Sequence, residues 1–143
     1  MNIKVIGIII CLLFTIPVIA APVRADPGAT LEIKIFGGLP LPLFIRQLAG
    51  AISNVGNTTA YNVSYLLTIH GGILGAIDES REGYAAEILP QQALGVTLMG
   101  TFGFGPVTIT LNATASNAEN VSGSARGFQL CEFTWVPFSW IIP

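Results

Sequence analysis

The sequence predicts an all-β protein, an antiparallel β-sandwich preceded by an apolar export segment. Two observations carry the sandwich. Apolar residues recur at every second position through most of the chain, the mark of strands dry on one face and wet on the other. Clusters of Gly, Pro and Asn separate these runs at short intervals. Composition adds a third. Of 143 residues, 52% are apolar and 10% charged, against about 25% charged in an ordinary soluble domain. Such a chain is too apolar to be disordered. Its length suits one domain, and a net charge of −2 argues against a nucleic-acid or anionic-membrane surface.

Residues 1–25 read as a secretory signal helix. Lys4 supplies the basic start, and Val5 to Ile16 is apolar apart from Gly7 and Thr15. Pro17 and small residues follow, with cleavage expected after Ala25. The rival reading is an uncleaved anchor, because Val5 to Val23 approaches the ~20 apolar residues that span a bilayer. Pro17 and Pro22 spoil its last turn. Cys11 is apolar filler of this segment. The domain is then 26–143, with four basic and eight acidic residues and the single cysteine Cys131. Cys131 is expected buried, and a lone thiol makes no intradomain disulfide.

Within the domain the first strand holds Leu31, Ile33 and Ile35. Leu41 to Ile52 fits helical spacing, but Gly50 and a poor N-cap favour a strand. Tyr61, Val63, Tyr65, Leu67 and Ile69 form one apolar face, opposite Asn62, Ser64, Leu66, Thr68 and His70. Ile73 to Ile88 reads as a short edge strand with a polar loop over 78–83. Leu94, Val96 and Leu98 follow the turn Leu89-Pro90-Gln91-Gln92. Val107 to Ala115 is the clearest alternation. Asn117-Ala118-Glu119-Asn120 reads as a turn before a last strand over Ser124 to Val136.

The segment Asn54-Val55-Gly56-Asn57-Thr58-Thr59-Ala60-Tyr61-Asn62-Val63 resembles the N-x-G-x-x-x-A-x-x-V junction of CARDB-like domains, the cell-adhesion-related domains of prokaryotic surface proteins. Ala86-Glu87-Ile88-Leu89-Pro90 resembles the same family's L-x-P-G turn before its fifth strand, with Gln91 where glycine is usual. The resemblance spans residues 31–134. It implies an immunoglobulin-like sandwich of about seven strands in an exported, non-enzymatic surface module for adhesion or protein–protein assembly. It transfers no catalytic residue. The Cys-Trp-Cys pin of antibody domains is missing from the sequence.

Four of the six asparagines beyond residue 25 begin an N-x-S/T sequon: Asn57, Asn62, Asn112 and Asn120. Serine and threonine make up 18 of 143 residues, so chance would give about one sequon. All four are expected exposed, Asn62 and Asn112 on polar strand faces and Asn57 and Asn120 in turns. They are glycosylation candidates, although Asn, Ser and Thr also populate turns and wet faces in their own right.

Other constellations point away from chemistry. His70 is the sole histidine, and no G-x-S-x-G elbow accompanies it. Asp78, Glu79, Glu82 and Glu87 lack the order of a calcium loop and read as solvated. Gly100 to Gly105 lacks the lysine of a phosphate loop. No catalytic residue, metal or cofactor is expected. The C-terminal Phe133, Trp135, Phe138 and Trp140 admit two readings: a tail closing the core, or an exposed aromatic patch. With Tyr84, Trp135, Phe138 and Trp140 supply the alternative function, a carbohydrate-binding module. Expected partners are surface proteins or polysaccharide. Membrane contact is expected only through an uncleaved N-terminal segment.

Overall fold

β1 (Leu31–Phe36), β2 (Leu48–Asn54) and β5 (Ala93–Leu98) form a small antiparallel sheet in the order β1-β2-β5. A larger antiparallel sheet runs β4 (Ile77–Ile88), β3 (Ala60–Gly71), β6 (Gly103–Ala115), β7 (Ala118–Cys131) and β8 (Phe133–Trp135). The two-residue β9 (Ile141–Ile142) also pairs with β7. The computed structural model describes residues 28–37, 48–137 and 141–142. The expected signal helix therefore lies outside the described residues, as do residues 41–47, Phe138 and Trp140.

The two sheets stack with their apolar faces inward, as the alternation requires. Ile35, Ile52, Val96 and Leu98 of the small sheet meet Val63, Leu67, Ile69, Val107, Ile109, Leu111 and Ala113 of the large one. The chain crosses between sheets from β2 to β3, from β4 to β5 and from β5 to β6. The β2–β3 crossing is fixed by Asn54, whose side chain is fully buried. Its Nδ2 donates to the carbonyl oxygens of Thr58 (2.8 Å) and Ile88 (2.9 Å). Its Oδ1 accepts from the Gly56 amide at 3.1 Å. Gly56 must be small, since a Cβ there would lie 2.6 Å from the Thr30 amide nitrogen.

Several expectations are corrected. Residues 78–83 are not a loop but fall in the first half of the 12-residue edge strand β4, paired with β3 from Ile77 to Ile88. Its charges suit an edge, where they discourage pairing with another chain. Tyr61 is not on the buried face: Ala60 is buried and Tyr61 is 50% exposed. The cause is Asn62, which takes φ 53° and breaks the alternation, so Ala60 and Val63 both point inward. The last strand begins at Ala118 rather than Ser124, because Ser116 and Asn117 alone make the turn. Asn120 thus lies in β7. β6 starts at Gly103, and Pro106 fits there because β3 pairs β6 only from Val107 on. Cys131 is exposed, with φ 55° where β7 gives way to β8.

Candidate functional site

The outer face of the large sheet has two unlike ends. At one end two cross-strand rows carry apolar side chains. Phe104, Leu130 and Phe133 are paired across β6, β7 and β8, and Pro106, Phe128 and Trp135 form the next row. Alternation puts all six on the side away from the core, because Gly103, Gly127, Gln129 and Thr134 take the inward positions. Phe104, Leu130, Phe133 and Trp135 are each between 47% and 52% exposed. Phe104 meets Phe128 edge to face at 5.2 Å and 88°, the arrangement that ring quadrupoles favour. The exposed part of these four side chains amounts to on the order of 400 Å², the scale of the largest apolar patch on a typical monomer.

A buried polar chain props this end from within. Gln129 is fully buried, and its Nε2 donates to the carbonyl oxygens of Thr101 and Cys131, both at 2.9 Å. The Thr134 hydroxyl donates to Gln129 Oε1, and the Thr101 hydroxyl donates to Glu79 Oε2 at 2.8 Å. Gln129 therefore ties β7, β8 and the segment entering β6 into one unit. Its polar atoms are satisfied, as burial demands. With these strands held together, the aromatic rows rest on a fixed support.

The other end is mostly polar, with Glu82 and Glu87 on the edge strand β4 as its charges there. Ser64 and Thr114 face each other on β3 and β6 with their hydroxyls 2.8 Å apart. Asn112 is paired with Ser122 on β7. Tyr84 is 63% exposed, and its hydroxyl donates to Asn62 Oδ1 at 2.7 Å. Asn57 is exposed in the bend after β2. From Ile88 to Ala118 the chain carries no charged residue.

Of the expected aromatic site only Tyr84 and Trp135 are among the described residues, and these two lie apart. Tyr84 is on β4 and Trp135 on β8, four strand spacings or roughly 19 Å apart across the sheet. Cross-strand pairing puts Tyr84 level with Thr114 and Trp135 level with Pro106, roughly 27 Å apart along the strands. Tyr84 therefore shares no platform with Trp135. Sequence reasoning missed Phe104, Phe128 and Leu130, because period-two patterns name a face but not which strands are neighbours. The acidic residues 78, 79, 82 and 87 are strung along β4. Among the described residues no group of three His, Cys, Asp or Glu side chains is placed to hold a metal ion. His70 Nδ1 lies 3.6 Å from Asp78 Oδ1, both well exposed. No protein-family model matches the chain, and no curated protein matches it significantly.

Proposed function

We propose that this is an exported, non-enzymatic immunoglobulin-like module that mediates adhesion or protein–protein assembly at a cell surface through the aromatic end of its large sheet. The observation that carries the reading is the pair of co-facial rows, Phe104-Leu130-Phe133 and Pro106-Phe128-Trp135. Exposed apolar area of this kind, held rigid by Gln129, is costly in water unless a partner covers it. The division into β1-β2-β5 and β4-β3-β6-β7 supports the immunoglobulin-like class. The CARDB resemblance gains support from the roles of its motif residues. Asn54 and Gly56 close the sheet crossing, Ala60 and Val63 are core, and Gln91 adopts φ 62°, a conformation suited to the family's glycine.

The test is co-sedimentation of the purified protein with washed envelopes of its source cells. A Phe133→Ser/Trp135→Ser variant with an unchanged melting temperature should lose at least tenfold in bound fraction. Unchanged binding by that variant would overturn the assignment to this end. Binding that survives protease treatment of the envelopes but fails after polysaccharide removal would move the function to carbohydrate.

A further inference from the structure

The described asparagines divide into two groups. Asn54 and Asn117 are structural. Asn54 spends both Nδ2 hydrogens on carbonyl oxygens. Asn117 donates to the Thr59 carbonyl oxygen at 2.8 Å and accepts from the Tyr61 amide at 3.0 Å. Neither begins a sequon, since Gly56 and Glu119 stand two residues on. The other four, Asn57, Asn62, Asn112 and Asn120, all begin one. The side chains of Asn57, Asn112 and Asn120 make no hydrogen bond among the described residues. Asn62 Nδ2 has only a 3.5 Å contact to the Ser116 hydroxyl. Asparagine is a poor strand former. Asn112 nevertheless sits inside the central strand β6 and Asn120 inside β7, where threonine would pair better.

Three of these sequons are neighbours. Ser64 of the Asn62 sequon pairs with Thr114 of the Asn112 sequon. Asn112 in turn pairs with Ser122 of the Asn120 sequon. Alternation sends each Asn112 and Asn120 side chain to the same outer side as the hydroxyl two residues on. We propose that Asn62, Asn112 and Asn120 are N-glycosylated together, so that the polar end of the outer face is coated with carbohydrate while the aromatic end stays bare. In the transfer, the Nδ2 nitrogen forms a bond to the anomeric carbon of a lipid-phosphate-linked oligosaccharide. The bond from that carbon to the phosphate oxygen breaks, the lipid phosphate leaves with the electron pair, and the amide gives up one proton. Each asparagine keeps one Nδ2 hydrogen and its Oδ1, so the Tyr84 bond to Asn62 Oδ1 survives. Glycans here wet a face that carries few charges, and they leave the protein one apolar end by which to associate.

The proposal rests on the export reading, and one measurement separates their failures. The full chain is expressed in its source organism and weighed intact. So are single variants with Asn→Gln at 57, 62, 112 and 120, and the sequon-preserving control Ser64→Thr. The expected result is a processed chain heavier than its polypeptide by at least three glycans. N62Q, N112Q and N120Q should each lose one glycan mass, and Ser64→Thr none. A processed chain with no added mass, or with no step for any one of those three, overturns the cluster and leaves export standing. An unmodified chain that still carries residues 1–25 and stays in the cytosolic fraction overturns both.

Discussion

The Asn54 side-chain amide donates a 2.9 Å hydrogen bond to the carbonyl oxygen of Ile88, 34 residues further along the chain. That bond joins the end of β2 in the small sheet to the end of β4 in the large one. Backbone bonds reinforce it: the Asn54 amide donates to the Gln92 carbonyl oxygen at 2.9 Å and the Gln91 amide donates to that of Asn54 at 2.8 Å. Asn54→Ala should therefore cost about 2–4 kcal/mol, because it strands a buried acceptor at Ile88, a buried donor at Gly56 and a part-buried acceptor at Thr58. Asn54→Asp should cost at least as much, since a carboxylate would face two carbonyl oxygens with no hydrogen to give. Urea unfolding midpoints measure both, and a loss below about 1 kcal/mol for Asn54→Ala would deny the side chain this role.

Asn62 is held at φ 53° near the start of β3, within the alternating run from Tyr61 to His70. A β-branched residue avoids that region by about 1–2 kcal/mol, whereas glycine enters it freely. In protein made without a glycosyltransferase, Asn62→Val should lose about that much stability and Asn62→Gly should lose little. Equal losses in thermal unfolding would show that the bulge itself is unimportant.

The same bulge shows how far the sequence could be read. Alternation located the strands and most core positions, because an inner face tolerates little else. It put Tyr61 inside, since strict period two has no place for an extra residue. The spacing of Ala60 and Val63, three apart and both buried, is the visible trace of the bulge. β4 was obscured for a different reason. An edge strand with one uncovered flank carries charges that resemble a loop. The aromatic end was legible only in part, as Trp135 and Phe133, because its remaining members arrive from β6 and β7 through pairing that no local pattern encodes.

Gln91 occupies the left-handed region, φ 62°, in the turn between β4 and β5. Its side chain gains only a long 3.4 Å bond to the Val55 carbonyl oxygen. Gln91→Gly removes the backbone penalty and gives part of it back as unfolded-state entropy. A net gain of about 0.5 kcal/mol is expected, read as a rise in melting temperature. Gln91→Ala, which keeps the penalty and drops the weak bond, should show no such rise.

Gly123 lies on the inner face of β7, facing Ile33 of β1. A Cβ at this position would sit 2.6 Å from Ile33 Cγ2 and 3.2 Å from Ile33 Cβ. Branched carbon at Ile33 cannot swing away without moving β1, which is held to β2 from Leu31 to Phe36. Gly123→Ala should therefore destabilise by about 1–3 kcal/mol through overpacking. Ile33→Ala alone should also destabilise, through lost burial. Made together, the two changes exchange volume between facing positions, so the double variant should be more stable than the sum of the single losses by at least about 0.5 kcal/mol. Simple additivity in a double-mutant cycle would show that Ile33 and Gly123 do not compete for the same space.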